Sequence, residues 1–199
     1  MRIAFAFLTA FLVSGALPAL ADDQTAQPAA PDAPAPPMTK QAHLDKLFSD
    51  LKRERNEKAA ERIAGNIWNE WFQSGSASID LMMQWSQKAI ENQKFDVALD
   101  FLDQVVTLQP TYAEGWNRRA TVHFMMKNYG KSMSDIEHTL QLEPRHFGAL
   151  SGLAQIMALT GHKQSALEAW QKVLAIYPMM RSAQNQVATL SEELAGEGI

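Results

Sequence analysis

Three carboxylates, five histidines and a close pair of tryptophans are the groups in this chain that could do chemistry. Asp96, Asp100 and Asp103 resemble the paired carboxylates of acid–base sites, but their helical spacing beside Lys94 reads as one solvated helix face. His43, His123, His138, His146 and His162 never fall four residues apart, and no His-Glu-x-x-His run occurs. Metal sites need ligands at defined spacing, so no metal and no cofactor is expected. The histidines are expected on surfaces or bridging structural units. No glycine-rich phosphate loop or serine elbow is present. Trp68 and Trp71, three apart, could line a ligand pocket with a histidine; core packing is the simpler assignment, as it is for Trp85, Trp116 and Trp170. The chain therefore reads as non-enzymatic, with no catalytic residue.

The elements that carry these residues repeat. Pro110, Pro144 and Pro178 stand 34 residues apart, and the columns around them keep the same register. Small residues recur at Ser86, Ala120 and Ala154, and at Ala98, Ser132 and Ala166. Large apolar residues recur at Met82, Trp116 and Leu150, at Leu102, Ile136 and Trp170, and at Leu108, Leu142 and Ile176. Self-similarity at a fixed period is the mark of a stacked-repeat architecture. Within a unit the apolar spacing is helical: Val97, Ala98, Phe101, Leu102, Val105 and Leu108 fall on one stripe. Turn signals divide each unit at Asn92-Gln93-Lys94, Lys127-Asn128 and Thr160-Gly161-His162, where Gly161 suits a left-handed cap. Each unit is thus a pair of antiparallel helices. Small side chains (Ser86 facing Ala98, Ala120 facing Ser132, Ala154 facing Ala166) let the pair pack closely. Each proline ends one unit and starts the next.

These residues resemble the tetratricopeptide repeat (TPR) family. The middle unit matches with Trp116, Ala120, Tyr129, Ser132, Ile136 and Pro144. The third follows with Leu150, Ala154, Gly161, Ala166, Trp170 and Pro178, and the first with Phe95, Ala98, Leu102 and Pro110. Departures are Met82 for the Trp, Gln93 for the turn Gly, and Val105, Thr139 and Val173 where the family has a small residue. The resemblance implies an all-α, TPR-type α-solenoid of antiparallel helix pairs with a C-terminal capping helix. Residues 79–112, 113–146 and 147–180 would be its three repeats and 181–199 the capping helix and tail. It also implies that first helices line a concave groove, facing it with Met83, Gln87 and Ile90, then Asn117, Thr121 and Phe124, then Ser151, Gln155 and Ala158. Such a mixed row suits an extended peptide, and the Asn117 amide could both donate to and accept from its backbone. Met83 and Gln87 stand where some relatives clamp a terminal carboxylate, so that clamp is not expected.

Residues 39–78 read as a degenerate helical hairpin: Leu44, Leu47, Phe48 and Leu51 form one stripe, and Ala60, Ile63, Ala64, Ile67, Trp68, Trp71 and Phe72 a second. The charged join Lys52–Lys58 leaves a single bent helix as the alternative. Residues 22–38, with five prolines and no large apolar residue before Met38, read as a disordered, partly polyproline linker. Residues 1–21 have the basic start, apolar run and Ala19-Leu20-Ala21 cleavage pattern of a secretory signal peptide.

The net charge is −4 and no basic run stands out, so nucleic acid is a poor partner. No cysteine is present, so a disulfide framework is excluded, and no Asn-x-Ser/Thr sequon occurs. Together with the signal peptide these features suit a bacterial periplasm, and no stable membrane insertion is expected after cleavage. The resulting expectation is a periplasmic module that holds a segment of an envelope or secreted protein in its groove. The alternative is a structural protein that forms homo-oligomers through its convex face or terminal helix.

Overall fold

The computed structural model describes residues 39–196; the signal-peptide and linker assignments, 1–21 and 22–38, lie outside the described residues. Those described residues form nine helices and no strand. Six of them make three antiparallel pairs: α3 (Ala77–Glu91) with α4 (Phe95–Leu108), α5 (Ala113–Met125) with α6 (Tyr129–Leu142), and α7 (Phe147–Leu159) with α8 (Lys163–Ile176). The small-residue columns sit where the helices of a pair cross. Ser86, Ala98, Ala120, Ser132, Ala154 and Ala166 are all buried, and the Ser132 hydroxyl donates across the crossing to the Ala120 carbonyl at 2.8 Å. Each pair turns through a left-handed residue at the same register: Gln93 (φ 55°), Lys127 (φ 58°) and Gly161 (φ 82°). In all three, the next backbone N–H reaches back to a carbonyl of the first helix, as Asn128 does to His123 at 2.8 Å.

Pairs stack in sequence order, α4 against α5 and α6 against α7. The departures Val105, Thr139 and Val173 are fully buried. Space for Val105 comes from Gly115, where a Cβ would lie 2.7 Å from the valine Cγ1. The last helix, α9 (Arg181–Gly196), packs on α8 through Ala183 and Leu190 and leaves Asn185, Gln186, Ser191, Glu192 and Glu193 outward. A polar outer face is what a terminal helix of a stack requires.

Three core expectations are corrected. Leu108 and Leu142 are 67% and 41% exposed, whereas Ile176 of the same column packs against the hairpin's cluster. Trp85 is 47% exposed, because among the described residues no unit covers its side of α3. Trp116 is half-buried: it stacks on His138 at 4.3 Å between centroids and donates Nε1–H to the Pro110 carbonyl at 2.9 Å. Trp170, by contrast, is buried.

Residues 40–72 form two helices, α1 (Lys40–Arg53) and α2 (Glu57–Phe72), separated because the Asn56 side chain accepts the Ala59 N–H and caps α2. This hairpin does not extend the stack in front of α3 and α4. It turns across the inter-unit connections and packs on α5, α7 and α8. Leu44, Leu47, Phe48, Leu51, Ala60, Ala64, Ile67 and Trp71 are buried in one cluster with Phe147, Ala166, Trp170, Val173 and Tyr177. Polar ties run along the same edge. Glu57 pairs with Arg181 at 2.9 Å and Asp45 with Arg145 at 2.7 Å, and the Arg145 guanidinium lies over the Phe48 ring. Exposed pairs of this kind contribute little, whereas a fully buried Leu or Ile contributes about 1.5–3 kcal/mol. Apolar burial holds the hairpin in place.

Candidate functional site

First helices α3, α5 and α7 lie side by side, and two clefts open between them. One, of about 590 Å³, is lined by Met83, Gln84, Gln87, Lys88 and Glu91 of α3, by Tyr112 and Arg118, and by Phe72 from the hairpin. The second, of about 280 Å³, is lined by Asn117, Thr121, Phe124 and Met125 of α5, by Ser132 and Ile136 of α6, and by Gly148, Ala149, Gly152 and Gln155 of α7. The first cleft mixes both signs of charge; the second has no charged lining residue.

The structure therefore brings Met83 and Gln87 to one cleft and Asn117, Thr121, Phe124 and Gln155 to the other. Ile90 lines neither; it is half-buried against the core around Ile79 and Met82. Ala158 likewise packs into the core. Ser151 is buried, and its hydroxyl donates to the Phe147 carbonyl one turn back at 2.7 Å. Asn117 is not a free amide. It is 8% exposed and its Nδ2 donates to Glu114 Oε2 at 2.8 Å. Thr121 donates to the Asn117 carbonyl at 3.0 Å. Gln87 is also engaged, donating to Glu91 and accepting from Arg118 Nη1 at 2.6 Å. Phe124 and Gln155 are the row residues whose side chains the clefts leave available.

Behind the clefts lies a buried polar cluster that the row did not include. Glu114 is 2% exposed and receives Asn117 Nδ2, Arg118 Nη2 at 3.2 Å and His146 Nε2 at 3.2 Å. His146 is fully buried, and its Nδ1 accepts the Ala149 N–H at 3.1 Å, capping α7. With Nδ1 accepting, the proton of a neutral imidazole sits on Nε2 and is donated to Glu114. Trp71 of the hairpin stacks flat on this imidazole, 3.9 Å between centroids and 9° between planes. Trp68 meets it edge-on and lies so close to α7 that a Cβ on Gly148 would come within 2.6 Å of the indole. Phe72 lies under the Arg118 guanidinium. Tyr112 donates to the Phe72 carbonyl at 3.2 Å. Burial, helped by Glu114, pushes the Tyr112 phenol up well beyond its ordinary range, so the hydroxyl keeps its proton. The hairpin thus forms one wall of the first cleft and seals the buried cluster behind both.

Tyr112, His146 and Met180 stand 34 residues apart, each two residues after a proline, and all three face the hairpin or its cluster. That column is the signal that could have located the seat. Among the described residues, no group of three His, Cys, Asp or Glu side chains is placed to hold a metal ion, and no helix is long and apolar enough to cross a membrane. Asp103 of the carboxylate run pairs with Arg119 at 2.8 Å.

No family model matches the sequence. The chain is 59% identical over 153 residues to a TPR repeat-containing protein of Rhizobium etli, covering 77% of this chain and 75% of that one. It is 30% identical over 137 residues to small glutamine-rich tetratricopeptide repeat-containing protein 2 of Saccharomyces cerevisiae, covering 67% of this chain and 39% of that one. Among solved structures, it is similar to the first TPR domain of Spaghetti (RPAP3) bound to the HSP90 peptide SRMEEVD. The TM-score there is 0.56 at 20% identity, over 59% of this chain and 93% of that one. The chain belongs to the TPR repeat-containing proteins. Its architecture is the all-α solenoid of that family.

Proposed function

We propose that this chain is an exported, non-catalytic interaction module that holds a segment of another envelope or secreted protein across α3, α5 and α7. The observation that carries this reading is the uncharged cleft between α5 and α7, with Phe124 and Gln155 presented into it. Phe124 offers an apolar contact, and Gln155 offers an amide that can pair with a peptide backbone. The similar TPR domain with a bound HSP90 peptide supports the use of this geometry for a peptide. That peptide is acidic, whereas the cleft here lacks cations, so a segment with a neutral apolar side chain fits better.

Crosslinking in intact cells followed by mass spectrometry tests the groove. Phe124→Ser with Gln155→Ala should abolish recovery of a specific partner and leave the helical spectrum unchanged. Asn117 is a poor probe, because its removal takes a hydrogen bond from buried Glu114. Recovery unaffected by the double change would exclude the groove. Export rests on the pattern of residues 1–21, and an N-terminal mass beginning at Asp22 is the expected result; an intact Met1 would exclude cleavage there.

A further inference from the structure

Register within the 34-residue period shows which side chains face the preceding unit. Position 81 of the first unit corresponds to Gly115 and Ala149, and position 85 to Arg119 and Leu153. In the later units these positions meet the second helix of the unit before. Gly115 lies against Val105 of α4, Arg119 Nη1 reaches Asp103 of α4, and Leu153 shares a cleft with Met133, Ile136 and Leu140 of α6. Ala149 is buried in the same cluster as Ile136. Among the described residues no such helix meets the first unit, because the hairpin is seated on the connections instead. Leu81 and Trp85 are left 42% and 47% exposed, with Val97 at 42% and the Phe101 ring 5.4 Å from the indole.

We infer that this face of α3 and α4 binds the same face of a second copy of the chain, making a two-fold dimer. The face continues the surface by which unit packs on unit inside the molecule, and it is the uncovered end of the stack. It is not shaped for one more ordinary unit. Leu81 stands where the next units have Gly and Ala, so a helix approaching as closely as α4 approaches Gly115 would collide with it. A bulky knob needs a hollow, and one lies beside it: a cleft of about 410 Å³ between Trp85, Lys88, Asn92, Lys94, Val97 and Phe101. Knob and hollow on one surface are what self-pairing across a two-fold axis requires. Charge is arranged likewise, since Lys88 and Lys94 share this end with exposed Asp96 and Asp100. The other end of the stack is closed by the polar outer side of α9, so head-to-tail addition has no apolar surface to meet. That leaves the isologous contact, by a face other than the terminal helix.

The inference is independent of the groove reading, and sedimentation of the purified protein over a range of concentrations tests it. A concentration-dependent dimer is expected. Trp85→Glu, an exposed change that leaves helicity intact, should weaken it roughly thirtyfold or more, as loss of an interface anchor does. Because the chain has no cysteine, Leu81→Cys gives a single thiol that a short bismaleimide should join to its own counterpart. Asn185→Cys on the outer side of α9 should stay unlinked. A monomer at every concentration, a dimer indifferent to Trp85→Glu, or crosslinking through Asn185→Cys rather than Leu81→Cys would overturn the inference.

Discussion

The α1–α2 hairpin and the α5–α6 pair carry the same kind of amphipathic pattern, yet they are held by different partners. In α5–α6 the helices that touch are sequence neighbours, locked at Ala120 and Ser132 by a contact spanning 12 residues. The hairpin is locked by contacts spanning far more chain, 100 residues for Asp45 with Arg145 and 124 for Glu57 with Arg181. Closing a long loop costs more chain entropy than closing a short one, and the exposed ion pairs return little of it. The hairpin therefore depends on its buried apolar cluster, Trp71 against His146 included. An amphipathic stripe makes a helix; it does not say which neighbour the stripe will cover.

The largest expected effect follows. Trp71→Ala should cost about 3–5 kcal/mol in urea unfolding, the range for a large buried aromatic. Native-state hydrogen exchange sharpens the comparison: α1 and α2 should lose protection while α4, α5, α6 and α8 keep theirs, because the repeats stack without the hairpin. Equal loss in all helices would make hairpin and repeats one cooperative unit and erase the distinction. The same change at Trp116, half-buried between His138 and the Arg119 guanidinium, should cost less, about 1–2 kcal/mol.

His146→Leu comes next. It keeps an apolar surface under Trp71 but removes the α7 cap and leaves a Glu114 oxygen without that donor. A cost of about 2–3 kcal/mol is expected by thermal and urea unfolding. If Glu114 is the reason, Glu114→Gln in the His146→Leu background should cost far less than Glu114→Gln alone. Additive costs would show that the two side chains act separately.

This contrast marks how far the sequence could be read. Helices α3 to α8 were legible because each rests on local signals: the apolar stripe, a turn residue at 93, 127 and 161, and a proline to end the unit. The crossing contacts were legible because small residues recur in register. The seat of the hairpin was not, because nothing within residues 39–78 distinguishes a surface that stacks on α3 from one that crosses to His146. The uneven candidate row has a similar cause. Asn117 and Ser151 occupy inward-facing positions, but buried Glu114 and the Phe147 carbonyl compete for their hydrogen bonds. Position alone does not show whether a polar side chain is already satisfied.

Within the repeats, the turn column offers a smaller test. Gly161 takes its left-handed φ without strain, whereas Gln93 and Lys127 take theirs against a Cβ penalty. Gly161→Ala should lose about 1 kcal/mol, and Lys127→Gly should gain up to about 1 kcal/mol, both by thermal unfolding. A gain at 127 with no loss at 161 would mean that the third turn is held by its surroundings and not by its own residue.

The last effect concerns the second buried histidine, His123, and pH. His146 has Glu114 and the Ala149 N–H around its ring, while His123 of α5 is 7% exposed and its Nδ1 has no hydrogen-bond partner. Burial lowers the pKa of His123 below the ordinary value of 6.5, with Asp135 opposing and Lys131 and Arg119 adding to the shift. A histidine whose folded pKa is depressed binds a proton more readily when unfolded. Its contribution to stability is full above about 6.5 and falls as pH drops from there toward the folded value. Urea midpoints measured between neutral and mildly acidic pH should decline for the parent chain. His123→Leu, which fills the site with an apolar group of similar size, should flatten that decline while leaving the midpoint at neutral pH nearly unchanged. An unaltered slope would exclude His123 as its source; Asp45 and Glu57, held ionised by Arg145 and Arg181, titrate below the ordinary carboxylate range and lose their contribution only at more acidic pH.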